Sequence, residues 1–272
     1  MYIQRMIIAG KTMEFEKHHT LRYHSKRRTR QPNQKPTSEA MAKINAKRAQ
    51  RKLTRLINNN FKAGDYSLSL TYTSDNRALT AEAAEDDLKK FLRNLRLRLK
   101  RLGIVLKYIA VTEHGKRSLH HHVVINGEVP VELVNKCWSF GRVHITPLDD
   151  MGDYERLAAY LLKETSKNYN NKELSTCKWR WRSSRNLVQP VEKVFRSAAD
   201  SWREVPVAPK GYYVLKDSVE SGIDGNGYPF QYYKCLSLDV SDMGKERVLF
   251  AAARIAKSRK DIKTSARKKV RS

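Results

Sequence analysis

Between residues 65 and 168 the hydropathy pattern switches repeatedly between a period of two and a period of about 3.6 residues, and this succession constrains the fold most. "DYSLSLTYT" (65–73) alternates and is rich in aromatic and β-branched residues, which predicts a strand. "TAEAAEDDLKKFLRNLRLRLKRLG" follows, with Thr80 to cap a helix and Gly103 to stop it. Two strand-like runs come next, "IVLKYIAVTE" (104–113) and "SLHHHVVIN" (118–126), then a short helix in "PVELVNKCWSFG". A strand in "GRVHITPL" (141–148) and a helix in "DYERLAAYLLKETSKN" (153–168) complete the series. The order β-α-β-β-α-β-α predicts an α+β protein with a ferredoxin-like antiparallel sheet, its helices on one face and the other face free for a site. No internal repeat is visible.

The flanks read differently. Residues 16–36 combine dense positive charge with two prolines and almost no aliphatic side chains, which predicts an extended arm. Ser38 opens "SEAMAKINAKRAQRKLTRLINNNF", where Ala42, Ala46, Ala49, Leu53 and Leu56 recur at helical steps among basic residues, closed by an Asn run. After residue 170, "CKWRWRSSRNLVQP" interleaves Trp and Arg, "DGNGYPFQYY" predicts a turn and an edge strand, and "ARIAKSRKDIKTSARKKVRS" is a basic tail. The expected division is therefore 1–60 (arm and basic helix), 61–200 (main domain) and 201–272 (C-terminal extension).

A formal charge of +26 exceeds what solubility needs and points to a polyanionic partner, nucleic acid first. No apolar run approaches the ~20 residues of a membrane span, and "MYIQRMIIAGKTMEF" is too short and broken for a signal peptide. The expected location is the cytoplasm, with no membrane partner. Cys137, Cys177 and Cys235 lie far apart and are expected as reduced thiols.

On a strand, His120 and His122 project to one face, roughly 7 Å apart at Cα, while His121 points the other way with Leu119, Val123 and Ile125. Two imidazoles on the open face can converge on one divalent cation. The turn containing "HGKR" folds the preceding strand back, so that Glu113 could supply a third ligand. The plain alternative is a set of ordinary surface or core histidines. His121 is read as structural, His114 as a turn residue and His144 as a solvated strand position.

In "YLLKE", Tyr160 and Lys163 stand three apart and share one helix face, with Lys167 a further turn along. A phenol can attack phosphorus when a cation polarises the phosphate and positive charge stabilises the pentavalent centre. Tyr154 falls about 120° away around the helix and ranks behind Tyr160.

Taken together, "LHHHVVI" resembles the His-hydrophobic-His metal motif of the HUH endonucleases, "YLLK" their Tyr-x-x-Lys motif and "SLSLTY" their first conserved strand. More narrowly, "GDYSLSLTY", "VTEHGKRSLHHHVVI", "AAYLLKE" and "SSRNLVQP" are similar to rolling-circle replication-associated proteins of bacterial mobile elements and phages. This resemblance implies a metal-dependent single-strand DNA endonuclease and strand transferase that leaves a 5′-phosphotyrosine and frees a 3′-hydroxyl for priming. It implies His120 and His122 as ligands with Glu113 beside them, Tyr160 as nucleophile, Lys163 as its basic partner, and Mg²⁺ or Mn²⁺ as the ion. The chain departs from the motif at His121, where an aliphatic or aromatic residue is usual, which leaves a shifted ligand pair as an alternative. It also lacks a GxxxxGK[ST] segment, so a host helicase and polymerase are the expected partners, acting on single-stranded or hairpin origin DNA.

"KWRWRSSRNL" offers Trp179 and Trp181 for stacking bases and Arg180, Arg182 and Arg185 for phosphates. The alternative is an amphipathic edge strand with its tryptophans packed inward. Arg27, Arg28 and Arg30, and Lys268, Lys269 and Arg271, suit sequence-independent phosphate attraction. A relaxase or transposase would share the same chemistry, while a non-catalytic single-strand binder would explain the charge but neither the histidine spacing nor "YLLK".

Overall fold

The computed structural model describes residues 1–21, 38–114, 119–169, 180–199 and 201–238, the side chains of His114 and 164–169 excepted. Most of the arm, Cys177, Trp179, the Lys167 side chain and the basic tail lie outside the described residues. In chain order the elements are β1 (Tyr2–Ala9), β2 (Thr12–His19), α1 (Glu39–Asn60), β3 (Tyr66–Leu70), α2 (Ala81–Arg101), β4 (Tyr108–His114) and β5 (Leu119–Ile125). There follow α3 (Val131–Cys137), β6 (Val143–Pro147), α4 (Glu155–Tyr169), β7 (Arg182–Ser183), β8 (Val191–Ser197), β9 (Tyr212–Ile223) and β10 (Pro229–Ser237). The architecture is α+β, with an antiparallel sheet in each of two units.

The unit holding β3 to β7 has the strand order β6-β3-β5-β4-β7. Its first four strands, with α2 and α3 as crossovers, are the split β-α-β-β-α-β pattern expected. Thr80 caps α2 by accepting from the Ala83 backbone N–H, and Gly103, at φ 71°, takes the left-handed conformation that ends the helix. Leu88, Phe91, Leu95 and Leu99 of α2 pack with Val134 and Cys137 of α3 onto Leu68, Leu70, Ala110, Val123 and Ile125.

The second face is where the structure corrects the expectation. It is not free: Leu53, Leu56 and Ile57 of α1 and Ala158, Leu161 and Leu162 of α4 bury Ile109, Val111 and Val124 there. The reason lies in the strands, whose apolar side chains alternate to both faces, so each face requires a cover.

Among the described residues, the other unit is the sheet β8-β1-β2-β10-β9. Residues 16–19 are strand rather than arm. β2 pairs with β10 along Thr12–Lys17 and Gln231–Leu236, so the expected N-terminal and C-terminal pieces share one sheet. β10, expected at an edge, lies inside between β2 and β9; its one proline, Pro229, opens the strand and costs no ladder bond within it. The β1–β2 hairpin escaped the sequence reading because its buried side chains fall on both faces and leave no clean alternation. Cys137 and Cys235 are buried free thiols.

Candidate metal centre and the tyrosine helix

Register brings the ligands together. β4 and β5 pair antiparallel with Glu113 opposite His120 and Val111 opposite His122, and directly opposed residues share a face. Glu113, His120 and His122 therefore project to the side covered by α1 and α4, while Thr112 and His121 project to the side covered by α2 and α3. The Glu113 Oε2 lies 3.1 Å from His120 Nε2 and 2.9 Å from His122 Nε2. All three ligand atoms fall within 4.8 Å of one another. Neighbouring ligands on a small divalent ion, each at ~2.1 Å, stand about 3 Å apart, so this donor set fits one cation. Burial depresses the proton affinity of His122 against the opposing pull of Glu113, which favours the neutral imidazole that ligates metals.

α4 delivers the phenol. Its buried stripe of Ala158, Leu161 and Leu162 seats it on the sheet and leaves Tyr160 55% exposed beside the ligands. The Tyr160 ring lies 5.0 Å from the His122 ring, edge to face. Burial, then the charge of Glu113, raise the phenol above its ordinary pKa. Lys163, one turn on, is exposed. Tyr154 is 4% exposed, its hydroxyl donates to the Asp149 carbonyl at 2.8 Å, and burial pushes it up to about 12. It packs in the core beneath α4 rather than in the site.

The start of α4 is held by a residue the sequence reading passed over. Asn58, near the end of α1, donates to Asp153 Oδ1 at 3.1 Å and accepts from the Tyr154 backbone N–H at 2.9 Å. Asn60 accepts from the Val188 N–H and donates to its carbonyl. Three asparagines ending an apolar helix were the signal, since such residues are poor helix formers but good partners for backbone groups.

The proposed DNA contacts divide. Trp181 packs into the core that α1 and α4 share, the inward alternative, and Arg182 pairs with Glu85 of α2 on the opposite face from the ligands. Both are corrections: each serves the fold because β7 is an edge strand whose side chains pack to both sides. Arg180 is half-buried and Arg185 exposed. Arg185 lines a cleft of about 700 Å³ with Arg96 and Lys100 at the end of β4 remote from Glu113. His144 is exposed, as expected. No described helix is long and apolar enough to cross a membrane.

Residues 65–169 match the model of a family described as replication-associated protein ORF2. No curated protein and no solved structure matches the chain. The matched segment runs from the residue before β3 to the end of α4, so it contains Glu113, His120, His122, Tyr160 and Lys163 and leaves out α1, β7 and the second sheet.

Proposed function

We propose that this protein is a metal-dependent endonuclease and strand transferase for single-stranded origin DNA, and that it initiates rolling-circle replication. The observation that carries the reading is the solvent-open Tyr160 phenol set 5.0 Å, ring to ring, from one of two histidines that share a carboxylate oxygen. A divalent ion, Mg²⁺ or Mn²⁺, held by Glu113, His120 and His122 would polarise the scissile phosphate when bound. The Tyr160 oxygen attacks phosphorus, a tyrosyl O–P bond forms and the P–O3′ bond breaks. The phenolic proton is released and the departing 3′ oxygen ends as a hydroxyl, which can prime synthesis. Lys163 contributes positive charge to the pentavalent centre. The 5′-phosphotyrosine conserves the bond energy, so attack by a 3′-hydroxyl rejoins the strand. The family match over 65–169 favours replication over mobilisation as the setting.

The test is an end-labelled single strand spanning the element's origin, incubated with Mn²⁺ and resolved on a denaturing gel. A covalent adduct should form, and peptide mapping should place the DNA on the peptide containing "LAAYLLK". Tyr160→Phe keeps the ring and should remove both adduct and nick. An adduct that survives in Tyr160→Phe refutes the assignment.

A further inference from the structure

The Glu113–His120 pair stands at the exposed end of a two-stranded ribbon. β3, the other neighbour of β5, pairs only as far as Leu70 opposite His121, and β7, the other neighbour of β4, pairs only at Ile109 and Ala110. Beyond the His121 row, the ladder that aligns Glu113 with His120 has no third strand. Two-stranded ribbons twist and fray on their own. Something must hold the ribbon where the ligands need it.

His121 is fully buried, on the face away from the ligands. Its Nδ1 lies 2.9 Å from Thr112 Oγ1, on the strand that carries Glu113, and its Nε2 lies 3.0 Å from the Tyr72 hydroxyl. The Tyr72 hydroxyl donates to Asp87 Oδ2 of α2 at 3.2 Å. With its proton committed to Asp87, the Tyr72 oxygen accepts, so His121 carries its proton on Nε2 and its Nδ1 accepts from Thr112. Burial and the Asp87 charge raise the Tyr72 pKa, which keeps that hydroxyl a donor. The chain of bonds is anchored in turn: the Trp138 indole N–H donates to the Thr71 carbonyl at 2.9 Å and packs edge-on against Tyr72 and His121. Gly141 lies so close to the Thr71 carbonyl and Tyr72 backbone that a Cβ there would collide.

We infer that His121 is a positioning residue that ties the ligand-bearing end of the β4–β5 ribbon, through Thr112, Tyr72 and Asp87, to the body of the sheet and to α2. An aliphatic or aromatic side chain would fill the same space but could not reach the hydroxyls on either side. A buried imidazole without partners would be costly, so the bonds explain both its presence and its order. The inference rests on the metal reading of Glu113, His120 and His122.

The test uses the full chain and Mn²⁺ alone, titrated calorimetrically. Thr112→Val removes one hydroxyl at constant shape, and His121→Phe keeps a ring without its nitrogens. Each should weaken Mn²⁺ binding by about 10–100-fold, the usual cost of losing a partner behind a ligand shell, while Thr112→Ser restores near wild-type affinity. In the metal-free protein, long-range ¹H–¹⁵N spectra should show His121 as the neutral Nε2–H tautomer. Thr112→Val and His121→Phe binding Mn²⁺ as the wild type does, or an Nδ1–H tautomer, would overturn the inference alone. A wild-type chain that binds no Mn²⁺ would overturn the metal reading and the inference with it.

Discussion

At the scale of single residues, the centre depends on which side of a strand each side chain takes. Removing both imidazoles with His120→Ala and His122→Ala should lower the nicking rate by at least ~10³-fold, because a polarising cation contributes several kcal/mol to the transition state. Binding of the same oligonucleotide in chelator should stay near wild type; equal cleavage by the double variant would sink the metal reading. This part of the site was legible because the two-residue period of a strand is fixed by backbone geometry. It separates His121 from its neighbours whatever the rest of the chain does. Glu113 was legible through its distance from a short turn. The partners of His121 were not: Tyr72 and Asp87 arrive from far along the chain, and nothing in a local pattern says which hydroxyl will meet a buried imidazole.

At the scale of elements, the catalytic phenol is only as well placed as the helix that carries it. Asn58→Ala removes the side-chain bonds to Asp153 and the Tyr154 N–H, and should cost about 1–3 kcal/mol of stability, read as a lowered thermal midpoint. It should slow single-turnover cleavage more than it weakens DNA binding, since the start of α4 loses its tether while the basic surface is untouched. Unchanged cleavage would mean that the packing of Leu161 and Leu162 suffices to seat α4. The apolar stripe of α1 was readable as a helix that must bury Leu53, Leu56 and Ile57, but a stripe does not name its cover. The signal that the sheet's second face is closed was present in Ile109, Val111 and Val124, which share that face with His122 and are buried. A face that carries ligands at one end and aliphatic side chains at the other is half site and half core.

At the scale of the whole molecule, the charge of +26 sets the response to salt. Single-strand affinity should fall steeply as salt rises, and a log–log slope near zero would refute phosphate binding. If the cleft at Arg96, Lys100 and Arg185 follows the DNA backbone, replacing all three with Gln should flatten that slope by about 2, at ~0.7 per lost contact, as read by fluorescence anisotropy. The fold's central pattern was legible because its elements are local and strongly periodic. The second sheet was not, because its strands are far apart in the chain and only the finished ladder joins them. That separation has a cost in time. β1 and β2 leave the ribosome well ahead of β10, which completes the inner edge of β2 only after the interval from His19 to Pro229. At ~5–20 residues per second that wait is roughly 10–40 s. Over that interval the strands that pair around the ligands are all translated, while Met6, Met13 and Phe15 sit on a hairpin with an unpaired edge. The newborn chain is thus most open to aggregation at a hairpin that emerges long before its partner strand, and a holding chaperone would find its target there.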